Sequence, residues 1–315
     1  MLQVRHEIPI CELPPNLGPI SVNRTYIDLE DLDEHAFPEV KWGGQFSPHD
    51  CTAQHKVAII VPFRDRKQQL PIFLNHMHQF LMKQKLEYAI FIIEQVRYDY
   101  FNRGKLLNVG FLESQNVSHW QCFIFHDIDL LPMDERNIYS CPHEKHPRHH
   151  AAAVDRLNFK LLFNTKFDGV TAMTLQQFTD VNGFSNTYWG LVSENNDMIL
   201  RLHMKGYTIS RYNMAIARYA SLYHKRNPTN KNQRYKWFIA MMEAKNTLKN
   251  EGLSTLKYSV KSVVPHRLYT HIKADIGRSP TYHQLSKIIE KYKEADRISM
   301  RERIDSVRKE LIAML

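Results

Sequence analysis

Three short apolar runs, separated by helical patterns, constrain this chain more than anything else in it. Val57-Ala58-Ile59-Ile60-Val61-Pro62-Phe63 has no polar position. An extended segment of that kind has both faces covered, the habit of strands in parallel sheets. A helix then fits residues 69–83, with apolar side chains at 70, 73, 74, 77, 80 and 81. Residues 88–93 read as a second buried strand, 101–112 as a helix and 122–125 as a third strand. Strand, helix, strand, helix, strand predicts an α/β protein with a doubly wound, mostly parallel, Rossmann-like sheet flanked by helices. Ligands of such sheets bind beyond the carboxyl ends of the strands. Arg64, Asp65 and Arg66 follow the first run, and Asp127 and Asp129 follow the third. They are expected around one crevice.

The bulk properties narrow the class. The chain has 315 residues, 43% of them hydrophobic, enough for one large core or two joined lobes. Its longest apolar runs fall well short of the ~20 residues that cross a bilayer, and its first 15 residues lack a leader pattern. As given, the chain reads as soluble, or as the lumenal part of a protein held by an anchor outside it. With 42 Lys plus Arg against 33 Asp plus Glu, the formal charge is +9, which attracts a polyanion or a phosphorylated ligand. No zinc-finger spacing or nucleic-acid signature is present, so no nucleic-acid partner is expected. Cys11, Cys51, Cys122 and Cys141 contain no C-x-x-C pair, and on their own they allow three disulfide pairings. With the sequons Asn23-Arg24-Thr25 and Asn116-Val117-Ser118 they favour an oxidising lumen over cytosol.

Asp127-Ile128-Asp129 carries the clearest chemistry. Read as an extended segment, it points both carboxylates to one side. Two hard oxygen ligands at a strand end suit Mn²⁺ or Mg²⁺ carrying a diphosphate.

At this point the sequence resembles a known family, the β-1,4-galactosyltransferases, which include N-acetylgalactosaminyl-transferring members. The resemblance runs from about Cys11 to Gly277. It rests on Val61-Pro62-Phe63-Arg64-Asp65-Arg66, on Phe101-Asn102-Arg103-Gly104-Lys105-Leu106-Leu107-Asn108-Val109-Gly110 and on Phe125-His126-Asp127-Ile128-Asp129-Leu130. It continues through Pro147-Arg148-His149, Asn182-Gly183-Phe184, Tyr188-Trp189-Gly190 and Asp275-Ile276-Gly277. The resemblance implies a GT-A type glycosyltransferase fold and a Golgi-lumen setting. It implies that Pro62, Phe63, Arg64 and Arg66 cradle uridine and ribose, and that Phe101, Arg103, Asp127, Ile128 and Trp189 line the rest of the donor. Asp129, His224 and Ser221 would hold Mn²⁺, or Mg²⁺. Arg234 and Tyr235 would line a pocket for an N-acetylglucosamine-terminated acceptor. Cys11 would pair with Cys51, and Cys122 with Cys141.

The chain also departs from that family. The family's Trp-Gly-Trp-Gly-Gly-Glu-Asp-Asp-Asp reads here Trp189-Gly190-Leu191-Val192-Ser193-Glu194-Asn195-Asn196-Asp197. Asn195 stands where the family has its base, and an amide does not take a proton at neutral pH. Glu194 and Asp197 are the neighbouring carboxylates that could replace it, so Glu194, Asn195 and Asp197 form the candidate catalytic set. Leu191 replaces a mobile tryptophan, and Val192 and Ser193 replace hinge glycines. Ser221 replaces a metal-ligating methionine, a harder donor that shifts preference towards Mg²⁺. Lys166-Phe167-Asp168-Gly169 replaces an aromatic followed by Phe-Gly-Gly and leaves the donor open between UDP-galactose and UDP-N-acetylgalactosamine.

The expected organisation is an N-terminal arm over residues 1–55, irregular through residue 50, and a glycosyltransferase domain over 56–277. That domain divides into a nucleotide-binding half, 56–145, and an acceptor and catalytic half, 146–277, whose centre (130–223) reads as loop-rich. A charged helix follows over 278–315. Two functions fit: an inverting, metal-dependent hexosyltransferase, or a catalytically impaired relative that binds a UDP-sugar or a glycoprotein.

Overall fold

The computed structural model describes residues 8–190, 194–224 and 248–280. In chain order its elements are α1 (Leu29–His35), β1 (Gln45–Phe46), β2 (Lys56–Phe63), α2 (Gln69–Lys83), β3 (Glu87–Gln95), α3 (Arg103–Gln115), β4 (Cys122–His126) and β5 (Leu130–Pro132). There follow β6 (Arg148–His149), β7 (Ala153–Val154), β8 (Val170–Thr174), α4 (Leu175–Asp180), α5 (Glu194–Met204), β9 (Arg218–Ser221), β10 (Ser259–Pro265) and β11 (Thr270–Asp275).

The three apolar runs are the centre of the main sheet. β2 lies between β3 and β4 and is parallel to both, so that Ile59 is level with Ile90 on one side and Ile124 on the other. β11 adds a further parallel strand beside β3. Antiparallel strands cover both edges of this parallel core: β10 outside β11, and β8 then β6 outside β4.

Strand alternation sorts the apolar side chains between two layers. Val57, Ile59 and Val61 join Ile90, Ile92, Ile124 and the α2 residues Phe73, Leu74, Met77 and Leu81 in one cluster. Ala58 and Ile60 join Phe91, Ile93, Phe123, Phe125 and the α3 residues Leu106, Leu107 and Phe111 in the other. Helices on both faces are what a strand without polar positions requires. Gly110 sets how closely α3 lies on the sheet, because a Cβ there would overlap Ile60 and Ile93.

Several elements differ from the sequence reading. The expected irregular arm contains a helix, α1, and a strand, β1, which pairs antiparallel with the start of β3. A two-residue strand has no period to read. Cys11–Cys51 ties the arm to the body, and Cys122–Cys141 joins β4 to the loop before β6. α3 begins at Arg103 rather than 101 because the Asn102 side chain caps it, accepting from Lys105 N at 2.9 Å. The centre expected to be loop-rich supplies β5 to β9, α4 and α5. Within it β9 pairs with β5 and β7 in a second, small sheet. The charged helix expected after 278 falls almost wholly outside the described residues, as do Arg234 and Tyr235.

Candidate active site

The Asp127–Asp129 segment is not extended as expected. It is a turn between β4 and β5, closed by Leu130 N donating to Asp127 O at 3.2 Å. His126 Nδ1 meets the same carbonyl at 2.9 Å. The turn aims the two carboxylates at different partners. Ile128 between them is buried in the α2-side core, so its side chain does not face the crevice.

Asp127 faces the start of α3. Arg103 Nε donates to Asp127 Oδ1 at 2.6 Å, and Arg103 Nη1 donates to Asn195 Oδ1 at 3.2 Å. The same Nη1 is 3.5 Å from Glu194 Oε1. One guanidinium therefore binds the acid after β4 to the first turn of α5. Burial and the nearby charge of Asp129 raise the Asp127 pKa, against the pull of Arg103.

Asp129 faces the second half of the domain. Its Oδ2 accepts from Arg156 Nη1 at 2.8 Å and lies 3.1 Å from His224 Nε2. Burial works against its charge, but His224 and Arg156 outweigh it and hold the carboxyl below the usual range. Strand pairing makes this meeting. Leu130 on β5 is level with Ser221 on β9, and Leu222 N donates to Asp129 O at 2.7 Å. Residues 222–224 thus run alongside the turn. Arg66 Nη2 donates to His224 Nδ1 at 2.9 Å, which puts the ring proton on Nε2 in this arrangement; ligation of an ion through Nε2 would need the other tautomer, with Arg66 moved off Nδ1.

A divalent ion fits this pair. Two adjacent ligands of an octahedral ion at about 2.1 Å stand roughly 3 Å apart, the spacing of Asp129 Oδ2 and His224 Nε2. Among the described residues no three His, Cys, Asp or Glu side chains could together hold an ion. A cation held by this pair would draw the rest of its shell from other groups such as diphosphate and water, as Mg²⁺ and Mn²⁺ do with nucleotides. Arg156 has a half-exposed side chain and can swing aside. Ser221 is not brought in: its hydroxyl donates to Asp155 Oδ1, as does its backbone N–H at 3.0 Å.

The remaining candidates divide. Arg64 and Arg66 are buried and follow β2 into the crevice. The Arg64 guanidinium lies 5.0 Å from the Phe101 ring centroid and donates to Asp99 O. Pro62 and Phe63 are buried at the end of β2. Trp189 is buried, with Lys105 Nζ 5.7 Å from its ring, and Gly190 N donates to Phe101 O at 2.8 Å. Asp197 is drawn elsewhere: it pairs with Arg201, which also binds Glu251 Oε2 at 3.0 Å. Its role is to neutralise a buried arginine. Glu194 is 1% exposed at its side chain, and among the described residues neither oxygen has a hydrogen bond. Burial raises its pKa to about 7. Leu191, Val192 and Ser193 lie outside the described residues.

Two side chains at the site went unrecognised in the sequence. Arg156 had no motif to mark it. Asp168 sits beside the turn because β8 pairs with β4, and its neighbour Gly169 accepts from Asp127 N at 2.9 Å. Lys166 Nζ is 3.3 Å and His149 Nε2 3.7 Å from Asp168 Oδ1. The signal for Asp168 was available, as a carboxylate where the resembled family has glycine.

Comparison with known proteins shows the family. Residues 11–142 match the N-terminal region of glycosyl transferase group 7, and residues 148–225 match a family described as the N-terminal domain of galactosyltransferase. The β-1,4-galactosyltransferase 1 of Mus musculus is 41% identical over 273 residues, which are 86% of this chain and 67% of the relative. The Homo sapiens protein of the same name is 40% identical, over 86% of this chain and 68% of the relative. Among solved structures, the catalytic domain of Drosophila β-1,4-galactosyltransferase 7 with xylobiose is similar, with a TM-score of 0.58 and 26% identity over 71% of this chain and 94% of that one. A mutant of that enzyme, complexed with manganese, UDP-Gal and xylobiose, is similar to the same degree, at 27% identity over the same shares of the two chains. No helix among the described residues is long and apolar enough to cross a membrane. The chain belongs to the β-1,4-galactosyltransferase family of group 7 glycosyltransferases.

Proposed function

We propose that the chain transfers a hexose from UDP to a hydroxyl of an N-acetylglucosamine-terminated glycan, with inversion and with Mn²⁺ or Mg²⁺. Galactose is the first candidate donor sugar, and N-acetylgalactosamine is the alternative left open by Lys166. The observation that carries this reading is the Asp129–His224 pair, 3.1 Å apart and flanked by Arg66 at the carboxyl end of the parallel core.

Asp129 and His224 would hold the metal, which supplies positive charge to the leaving diphosphate. Arg66 and Arg64 add fixed cations there, already desolvated and therefore worth more than in water. Phe101, stacked on Arg64, offers a face for the uracil ring. Arg103 holds Asp127 in place to accept hydrogen bonds from the donor sugar. Arg234 and Tyr235 are proposed to line the acceptor pocket, and the Golgi lumen is the proposed setting. The two disulfides suit that oxidising compartment.

Asn195 favours a second reading, in which a UDP-sugar or a glycoprotein is bound without turnover. One experiment separates the two. UDP titrated with and without Mn²⁺ reads the donor site. Turnover of UDP-galactose and UDP-N-acetylgalactosamine on N-acetylglucosamine reads the chemistry. Mn²⁺-dependent binding with transfer supports the first reading, and binding without transfer supports the second. Metal-independent binding, or none, ends the first reading, and none leaves the second only as glycoprotein binding.

A further inference from the structure

We infer that Asp168 is the catalytic residue that accepts the proton of the attacking hydroxyl in this chain, the role that Asn195 cannot fill. The inference rests on the transferase reading above and goes beyond it by naming the base.

The carboxylates around Arg103 are few, and exposure sorts them. Glu194 is 1% exposed at its side chain and Asp197 is 5% exposed and held by Arg201, so neither can touch an acceptor. Asp127 is held by Arg103 at 2.6 Å. Asp168 has the most open carboxylate of the group, 35% exposed. It sits beside the D-x-D turn, since its neighbour Gly169 accepts from Asp127 N at 2.9 Å, and Arg103 joins Asp127 to Asn195, the amide that stands where a base is expected.

Asp168 is also held ready from behind. Arg211 Nε donates to His149 Nδ1 at 3.1 Å, while Arg211 Nη2 donates to the carbonyls of Asn164 and Lys166 at 2.7 and 2.6 Å. A guanidinium is always a donor, so Nδ1 of His149 is the acceptor and its proton is on Nε2. His149 is fully buried, and among the described residues that Nε2–H has no hydrogen-bond partner within the protein. It faces Asp168 Oδ1 at 3.7 Å, a gap that a small rotation of the carboxylate closes. Lys166 Nζ flanks the same oxygen. Burial opposes the charge, but His149 and Lys166 hold the Asp168 carboxyl below the usual range, so it is ionised at neutral pH.

The step balances. The acceptor hydroxyl gives its proton to an Asp168 oxygen, and its own oxygen bonds to the anomeric carbon. The bond from that carbon to the diphosphate oxygen breaks, and the electron pair leaves with UDP. Asp168 then returns the proton to water.

The test uses the full chain with UDP-galactose, N-acetylglucosamine and Mn²⁺. Asp168→Asn is expected to lower kcat about 100-fold or more, with Mn²⁺-dependent UDP affinity unchanged within about twofold, since UDP lacks the reacting sugar. Adding Asn195→Asp to Asp168→Asn is expected to recover about tenfold, because a proton acceptor has been restored nearby. Asp168→Asn with transfer within threefold of the unaltered chain overturns the inference. So does the absence of recovery in the double variant, which assigns the loss to shape rather than to proton transfer. An unaltered chain that binds UDP but transfers nothing overturns it while leaving donor binding intact. Absence of UDP binding overturns the transferase reading itself.

Discussion

His224 Nε2 stands 3.1 Å from Asp129 Oδ2 across 95 residues of chain. Asp129→Ala removes one of the two proposed protein ligands and leaves the ion with the imidazole alone. The expected result is a loss of about 100-fold in UDP affinity with Mn²⁺ present and little change without it, read by calorimetric titration. Equal affinities of the two chains would place the metal elsewhere.

The D-x-D turn is stapled from behind by a buried chain of hydrogen bonds. His126 Nδ1 donates to the Asp127 carbonyl at 2.9 Å, so its Nε2 must accept from Tyr139 OH at 2.9 Å, and Tyr139 in turn accepts from Tyr219 OH at 2.7 Å. Burial pushes the His126 pKa down to about 3, so the ring stays neutral. His126→Asn keeps a donor where Nδ1 was, and His126→Gln keeps contact with Tyr139 but loses that donor. Mn²⁺-dependent UDP affinity should stay within about threefold in the first and fall about tenfold in the second, the scale of one hydrogen bond. The reverse order would make His126 a core residue only.

Arg201 is 2% exposed and neutralises both Asp197 and Glu251. Arg201→Met leaves two buried carboxylates without their cation. It is expected to cost about 3–5 kcal/mol of stability, measured by urea unfolding. A loss under 1 kcal/mol would show that the acids find another partner or protonate cheaply.

Glu194 gives the fold a pH dependence of its own. Its carboxyl ionises near 4.5 when exposed and at about 7 when folded, because burial disfavours the charge. The folded state therefore holds a proton that the unfolded state loses between these values. Stability falls as pH rises through that window and levels above it. Glu194→Gln removes the effect, so its stability relative to the unaltered chain should improve by about 3 kcal/mol from pH 4.5 to pH 8. An equal difference at both pH values would show that Glu194 is already charged in the fold.

Much of the parallel core and its first motifs was legible locally. The apolar runs around Ile59, Ile90 and Ile124 have to be buried on both faces, which forces helices onto each side of a parallel sheet. Asp127 and Asp129 follow from their place at a strand end. Segments of two residues such as β1, β6 and β7 show no periodicity, so they could not be read. Their pairing depends on what the rest of the chain presents.

The amino-acid order by itself determined the doubly wound core and the family motifs, because burial on a strand or a helix face is written in the spacing of neighbouring side chains. Tertiary structure alone decided which motif residues meet. It turned Ser221 towards Asp155, gave Asp197 to Arg201, brought Arg156 and His224 to Asp129, and left the Asp168 carboxylate partly exposed between His149 and Lys166. Those choices join segments as far apart as Arg66 and His224, 158 positions away. The direction of a hydroxyl or a carboxylate is set by the competing donors that folding places around it, and no local pattern records them.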